Sequence, residues 1–236
     1  MHIINNKKLR HNVYILTTAH NEADMNNQAA AKNVLIIKSS PALDASVSNE
    51  IADYLIEQLK GKNQSYQFTI RDLAKNPAPI YDNEMLQAFY SPQEQLSEQQ
   101  KEVAAPSLQY IAELKAADII VFASPMHNFS VTTLLKSYID QICRMGLTFN
   151  YSQAGPEGLI KGKKALIISS AGGDFQLPEQ IHKDFQTPYL KHVLNFIGIE
   201  DIEVVPVQGL GYGEDAANQA KANAKQSLKI LTEQVL

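Results

Sequence analysis

The chain has 236 residues, 44% of them apolar and 19% charged, with a formal net charge of -4. That composition supports a full core, and lysines and arginines scattered without a basic stripe argue against nucleic acid or an anionic membrane as partner. No apolar run approaches the roughly 18 residues of a membrane span, and a single cysteine, Cys143, excludes an intramolecular disulfide and a cysteine-based metal site and fits a reducing cytoplasm.

Residues 1–32 read as a disordered N-terminal extension. Lys7, Lys8 and Arg10 precede Val13-Tyr14-Ile15-Leu16, the charge order of a signal peptide. The apolar run is shorter than the roughly 7–15 residues such a peptide needs, and Met25 offers an alternative start. Residues 33–236 read as one domain. Val34–Ile37 is a short β-branched run, as expected of a parallel strand buried on both faces. Asn49–Lys60 carries Ile51, Tyr54, Leu55, Ile56 and Leu59 at helical spacing, and Gly61 follows as a C-cap glycine would. Tyr66–Ile70 alternates, which predicts a second strand near an edge. After the break Asn76-Pro77-Ala78-Pro79, residues 82–115 predict one or two helices. Asp118–Ala123, Lys164–Ser169 and Ile202–Val207 predict strands three to five. Thr132–Met145, Phe185–Ile197 and Asp215–Val235 predict helices. Strands alternating with helices imply a doubly wound parallel α/β sheet, because parallel neighbours need helical crossovers.

In such sheets ligands bind beyond the carboxyl ends of the strands, near a topological switch point. After the first strand, Ser39 to Ser48 is rich in serine and opens a helix, whose unpaired N–H groups and dipole suit a phosphate. It contains no glycine, which excludes the Rossmann and P-loop patterns. Ser48 serves equally as a plain helix cap. After the third strand, Ser124-Pro125-Met126-His127-Asn128-Phe129-Ser130 offers amide, imidazole and aromatic groups to a planar ring, or a structural loop capped by Ser130. After the fourth, Ser169-Ser170-Ala171-Gly172-Gly173-Asp174 permits close backbone approach, or an ordinary turn. Three such loops at adjacent strand ends point to one ligand. No His-Glu-x-x-His spacing occurs, so no metal is expected. Cys143 shares a helical face with Tyr138, Ile142 and Met145 and reads as a core or interface thiol.

In the segments VLIIKSS (34–40), SVSNEIADYL (46–55), SPMHNFS through GPEGL to SSAGG (124–173), TPYLKHVLNFIGI (187–199) and VQGLGYG (207–213), the chain resembles the FMN-dependent NADH:quinone oxidoreductases known as bacterial azoreductases. These are relatives of the NAD(P)H quinone dehydrogenases. The resemblance implies a flavodoxin-like sandwich with a five-stranded parallel sheet, a homodimer and one FMN per subunit. NADH would be the donor, and quinones or aromatic azo compounds the acceptors, by a ping-pong mechanism that protects against electrophilic quinones. It implies that Ser40, Ser46, Val47 and Ser48 bind the phosphate and ribityl chain. Met126, His127, Asn128 and Phe129 would contact the isoalloxazine, as would Ser170, Ala171, Gly172 and Gly173. Phe149 or Tyr151 of the partner subunit, and Phe196, would wall the substrate pocket. No side chain is implied as an obligatory acid or base. The sequence departs from the family at His127, where the second loop usually reads M-Y-N-F, and at Ala171, where the third often reads S-R-G-G. Two rivals remain at this level: a flavodoxin-type electron carrier and a non-catalytic FMN-binding regulator.

Overall fold

The computed structural model describes residues 31–234, and the extension expected over residues 1–32 lies, apart from Ala31 and Lys32, outside them. The elements in chain order are β1 (Lys32–Lys38), α1 (Val47–Lys60), β2 (Tyr66–Asp72), α2 (Asn83–Tyr90), α3 (Glu98–Ala116), β3 (Ile119–Pro125) and α4 (Thr133–Ile142). They continue with β4 (Phe149–Ser152), β5 (Gly155–Gly158), β6 (Lys164–Ser170), α5 (Thr187–Ile197), β7 (Asp201–Val207) and α6 (Glu214–Gln234). Five strands form one sheet in the order β2-β1-β3-β6-β7, and every neighbouring pair is parallel.

Alternation along the buried strands sends side chains to two cores. Leu35, Ile37, Ile120, Phe122, Ala165 and Ile167 face α3, α4 and α5. Val34, Ile36, Val121, Ala123, Leu166 and Ile168 face α1 and α6. Each fully buried Leu or Ile contributes about 1.5–3 kcal/mol of transfer free energy, so strands with both faces covered must be apolar throughout. β2 lies at an edge, as its alternating pattern predicts.

Gly61 is the C-cap of α1, as expected, with φ -77° in the right-handed region and its N–H donating to the Glu57 carbonyl. The left-handed terminator is Gly198, with φ 104°, which closes α5. The fourth helix stops at Ile142 rather than Met145, because Thr148 Oγ1 donates to the Ile142 carbonyl and accepts from the Arg144 N–H. The structure also adds an element that was not expected: β4 and β5 form an antiparallel hairpin outside the main sheet. Its second strand reads Gly-Pro-Glu-Gly, a composition without strand propensity. Packing against α5 places it. The Ile160 N–H donates to the Ile197 carbonyl at 2.8 Å, and a Cβ on Gly158 would fall 2.1 Å from the Gly198 nitrogen.

Candidate functional site

From β1 the sheet grows outward to β2 on one side and to β3, β6 and β7 on the other. The switch point is therefore at the carboxyl ends of β1 and β3, where connections leave in opposite directions and a crevice opens. The turn after β1 sits in it. Ser39, Ser40, Ser46 and Ser48 are all buried. Ser39 Oγ donates to the Ala123 carbonyl, and Thr132 Oγ1 donates to the Ser39 carbonyl, which ties this turn to β3 and to the start of α4. Ser46, not Ser48, is the helix cap: its Oγ accepts from the Asn49 N–H at 3.3 Å. Ser48 lies in the first turn, its hydroxyl 3.1 Å from that of Ser46. The N–H groups of Val47 and Ser48 have no acceptor among the described residues. The nearby lysine, Lys38, is bound to Asp53 at 2.6 Å. The site thus has the donor set of a phosphate cradle built on helix N–H groups and hydroxyls rather than on cations.

The second loop is a two-residue turn. The N–H of His127 donates to the Ser130 carbonyl at 2.9 Å, and the N–H of Ser130 to the His127 carbonyl at 3.0 Å. Asn128 and Phe129 between them have φ values of 49° and 72°. Positive φ at both central positions is the pattern of a type I′ turn, and it costs a phenylalanine steric strain. Strain of this kind persists where surroundings enforce it. Here the Phe185 N–H donates to the Phe129 carbonyl, and the Phe129 ring meets Phe175 edge-on at 6.2 Å. Thr132, not Ser130, caps the helix that follows.

The third loop is bound to a fourth that sequence reasoning did not assign. Leu210 and Gly211 donate to the carbonyls of Ala171 and Gly172, and Gly209 donates to Gly173. A Cβ on Gly211 would lie 3.1 Å from the Gly172 oxygen, so the two loops meet backbone to backbone. The Met126 N–H donates to the Ser170 carbonyl at 2.7 Å, joining the second and third loops. The N–H groups of Asn128, Phe129, Gly172 and Gly173 have no acceptor among the described residues, and a Cβ on Gly172 would enter nearly open space. These exposed donors beside a glycine fit the polar edge of a flat heterocycle.

The structure brings Ser40, Ser46, Val47 and Ser48 to one end of this crevice, and joins residues 126–129 to residues 170–173 at the neighbouring strand ends. It does not bring Phe149, Tyr151 and Phe196 beside these loops of the same chain. Phe149 packs at a tilt against Phe196 with ring centroids 4.5 Å apart and meets Tyr151 edge-on. Phe196 is at the far end of α5, about 13 Å of helix from Thr187. Tyr151 is 67% exposed, as is much of Met145 and Phe185. Cys143 lies partly buried against the core, and burial pushes its thiol up to about 12. A thiol so raised is a poor nucleophile at neutral pH. A cavity of about 540 Å³ lies at the opposite end of the sheet among Lys32, Asp118, Lys164 and Asp201. It lies away from every switch-point loop.

Residues 32–231 match a family described by the flavodoxin-like fold. An FMN-dependent NADH:quinone oxidoreductase of Escherichia coli is 44% identical over 199 residues, which cover 83% of this chain and 96% of that protein. The chain belongs to this flavodoxin-like quinone oxidoreductase family. An FMN-dependent NADH-azoreductase from Bacillus anthracis, solved in complex with FMN, superposes with a TM-score of 0.76 at 27% identity, over 85% of this chain and 99% of that one. A second Bacillus anthracis azoreductase gives 0.78 at 24% identity, over 86% and 99%, and shares the family fold. In this sheet the serine turn and the two loops at residues 126–129 and 170–173 follow the carboxyl ends of β1, β3 and β6.

Proposed function

We propose that this chain is an FMN-dependent oxidoreductase that carries two electrons from NADH to quinones and cleaves aromatic azo compounds reductively. The carrying observation is the convergence of hydroxyls, open helix N–H groups and exposed loop N–H groups at one switch point, in a chain 44% identical to an FMN-dependent NADH:quinone oxidoreductase.

Ser40, Ser46, Val47 and Ser48 hold the phosphate and ribityl end. Met126, His127, Asn128 and Phe129, with Ser170, Ala171, Gly172 and Gly173, hold the ring. When bound, FMN supplies the two-electron chemistry, accepting hydride from NADH and delivering it to the acceptor. The open N–H groups of residues 128, 129, 172 and 173 stabilise negative charge that develops on the ring edge, as preorganised donors do. His127 is exposed on its turn and can hand a proton to a reduced acceptor, a role water fills as well. Donor and acceptor are both flat and take the same place against the ring in turn, which is ping-pong kinetics.

A homodimer completes the pocket. Exposed Tyr151, Met145, Phe129 and Phe185 offer apolar surface to a second copy, and the hairpin of one chain then walls the site of the other. A reducing cytoplasm suits the lone thiol, and among the described residues no helix is long and apolar enough to cross a membrane. Two-electron reduction of electrophilic quinones makes protection the fitting role. Steady-state kinetics with NADH and NADPH against benzoquinone and methyl red test the reading. Turnover with parallel double-reciprocal lines is expected. An electron carrier or a non-catalytic FMN-binding regulator would show negligible turnover, and failure of both nucleotides to reduce the bound flavin would refute the enzyme reading.

A further inference from the structure

Gln186 is a glutamine with no exposure at all, placed just before α5. A buried primary amide must satisfy two donors and an acceptor, and here its partners are specific. Its Nε2 donates to both the carbonyl and the Oγ of Ser124, each at 2.8 Å. Its Oε1 accepts from Ser169 Oγ at 2.9 Å. Ser124 and Ser169 are themselves fully buried, and they are register partners at the carboxyl ends of β3 and β6. The backbone of Gln186 is held in turn, because Asp184 Oδ1 accepts the N–H groups of both Gln186 and Thr187. One side chain therefore bridges two paired, fully buried residues close to the ends of the strands that lead into the loops at 126–129 and 170–173. Gln186 touches neither loop's ligand-facing groups, and it leaves the serine turn after β1 untouched.

We propose that Gln186 is a positioning residue: its carboxamide fixes the spacing of the β3 and β6 ends, and through Ser124 and Ser169 sets the geometry in which the two ring-binding loops meet the flavin. The proposal rests on the flavin reading given above. Ring contacts come from backbone donors on both loops, so a shift of one strand end against the other misaligns them together.

The test uses the full chain and compares Gln186→Leu with the triple variant Gln186→Leu/Ser124→Ala/Ser169→Ala. The single variant takes the carboxamide from two buried hydroxyls, of which Ser169 keeps only a 3.4 Å contact with Thr187 Oγ1, and it loses stability for that reason alone. The triple variant removes both sides of the Gln186 side-chain contacts with Ser124 and Ser169, a change that is close to neutral for stability. Melting temperature, the dissociation constants of FMN and riboflavin, and the visible spectrum of the bound flavin are measured for each. A positioning role predicts that the triple variant regains thermal stability while FMN and riboflavin both bind on the order of tenfold more weakly, with a shifted flavin spectrum. Riboflavin lacks the phosphate, so equal losses for both ligands assign the defect to the ring loops. If the triple variant regains wild-type flavin affinity and spectrum together with its stability, Gln186 is structural only and the proposal falls. If the wild-type chain binds neither flavin, the FMN reading itself fails and takes this proposal with it.

Discussion

Among the described glycines, Gly158 leaves the least room for a side chain, so Gly158→Ala is expected to be disruptive. A Cβ at this position would lie 2.1 Å from the Gly198 nitrogen and 2.4 Å from both its Cα and the Ile197 carbonyl carbon. All three are backbone atoms at the end of α5, so no rotamer change relieves the clash. The hairpin must retreat from the helix by more than an ångström. That motion breaks the Ile160-to-Ile197 hydrogen bond and pulls Phe149 off Phe196. Overpacking of this kind costs about 1–3 kcal/mol, and a lost buried hydrogen bond adds about 1 kcal/mol. Gly61→Ala is the control. At φ -77° its Cβ would meet only ordinary contacts at 3.6 Å, so that change is expected to be neutral or to stabilise by about 0.4–1 kcal/mol. Urea unfolding followed by circular dichroism measures both. Quinone reduction by Gly158→Ala should fall in kcat/KM, while FMN affinity is retained, because the serine turn is remote from the hairpin. A Gly158→Ala stability within 0.5 kcal/mol of wild type would refute the reasoning that this close approach fixes the hairpin.

Other expectations concern the phosphate turn, the thiol and a surface ion pair. Ser46→Ala removes the α1 cap and should cost about 1 kcal/mol in chemical denaturation. It should also weaken FMN more than riboflavin by titration, and equal effects on both ligands would contradict the phosphate assignment. Cys143, with its thiol raised to about 12 by burial, should resist iodoacetamide at pH 8 until denaturant is added, and Cys143→Ala should keep wild-type turnover. The Lys225 hydrogen bond, assisted by Lys221, holds Glu50 below the usual carboxylate range. A lowered folded-state value contributes stability that is complete above the unfolded-state value and is lost as pH falls through the folded one. The stability gap between wild type and Lys225→Met should therefore close as pH falls below the ordinary glutamate value of about 4.3, and a gap that widens on acidification would overturn the assignment.

The sheet was legible in the sequence because both-face burial demands continuous β-branched and apolar runs such as Val34–Ile37 and Ile119–Ala123, and those runs are local. The serine turn was legible as a phosphate candidate, but its cap was displaced by two residues, since Ser46 and Ser48 are equivalent in composition and only backbone conformation distinguishes them. The hairpin was not legible. Gly155-Pro156-Glu157-Gly158 lacks strand propensity, and a tertiary contact with Gly198 holds it in place. Gln186 was equally hidden, because a glutamine beside an amphipathic segment reads as solvent-facing until the burial of Ser124 and Ser169 is known. The turn at Asn128-Phe129 shows the same limit: nothing in phenylalanine's preferences announces a positive φ.

The central claim is that this switch-point crevice holds FMN and lets NADH reduce it. Anaerobic stopped-flow mixing of the FMN-loaded protein with NADH tests it most directly, by following flavin absorbance. The account predicts bleaching of the oxidised flavin on a timescale no slower than steady-state turnover, with full recovery when benzoquinone is added in a second mix. Flavin that stays oxidised in the presence of NADH, or that bleaches and is not reoxidised by the quinone, would contradict it.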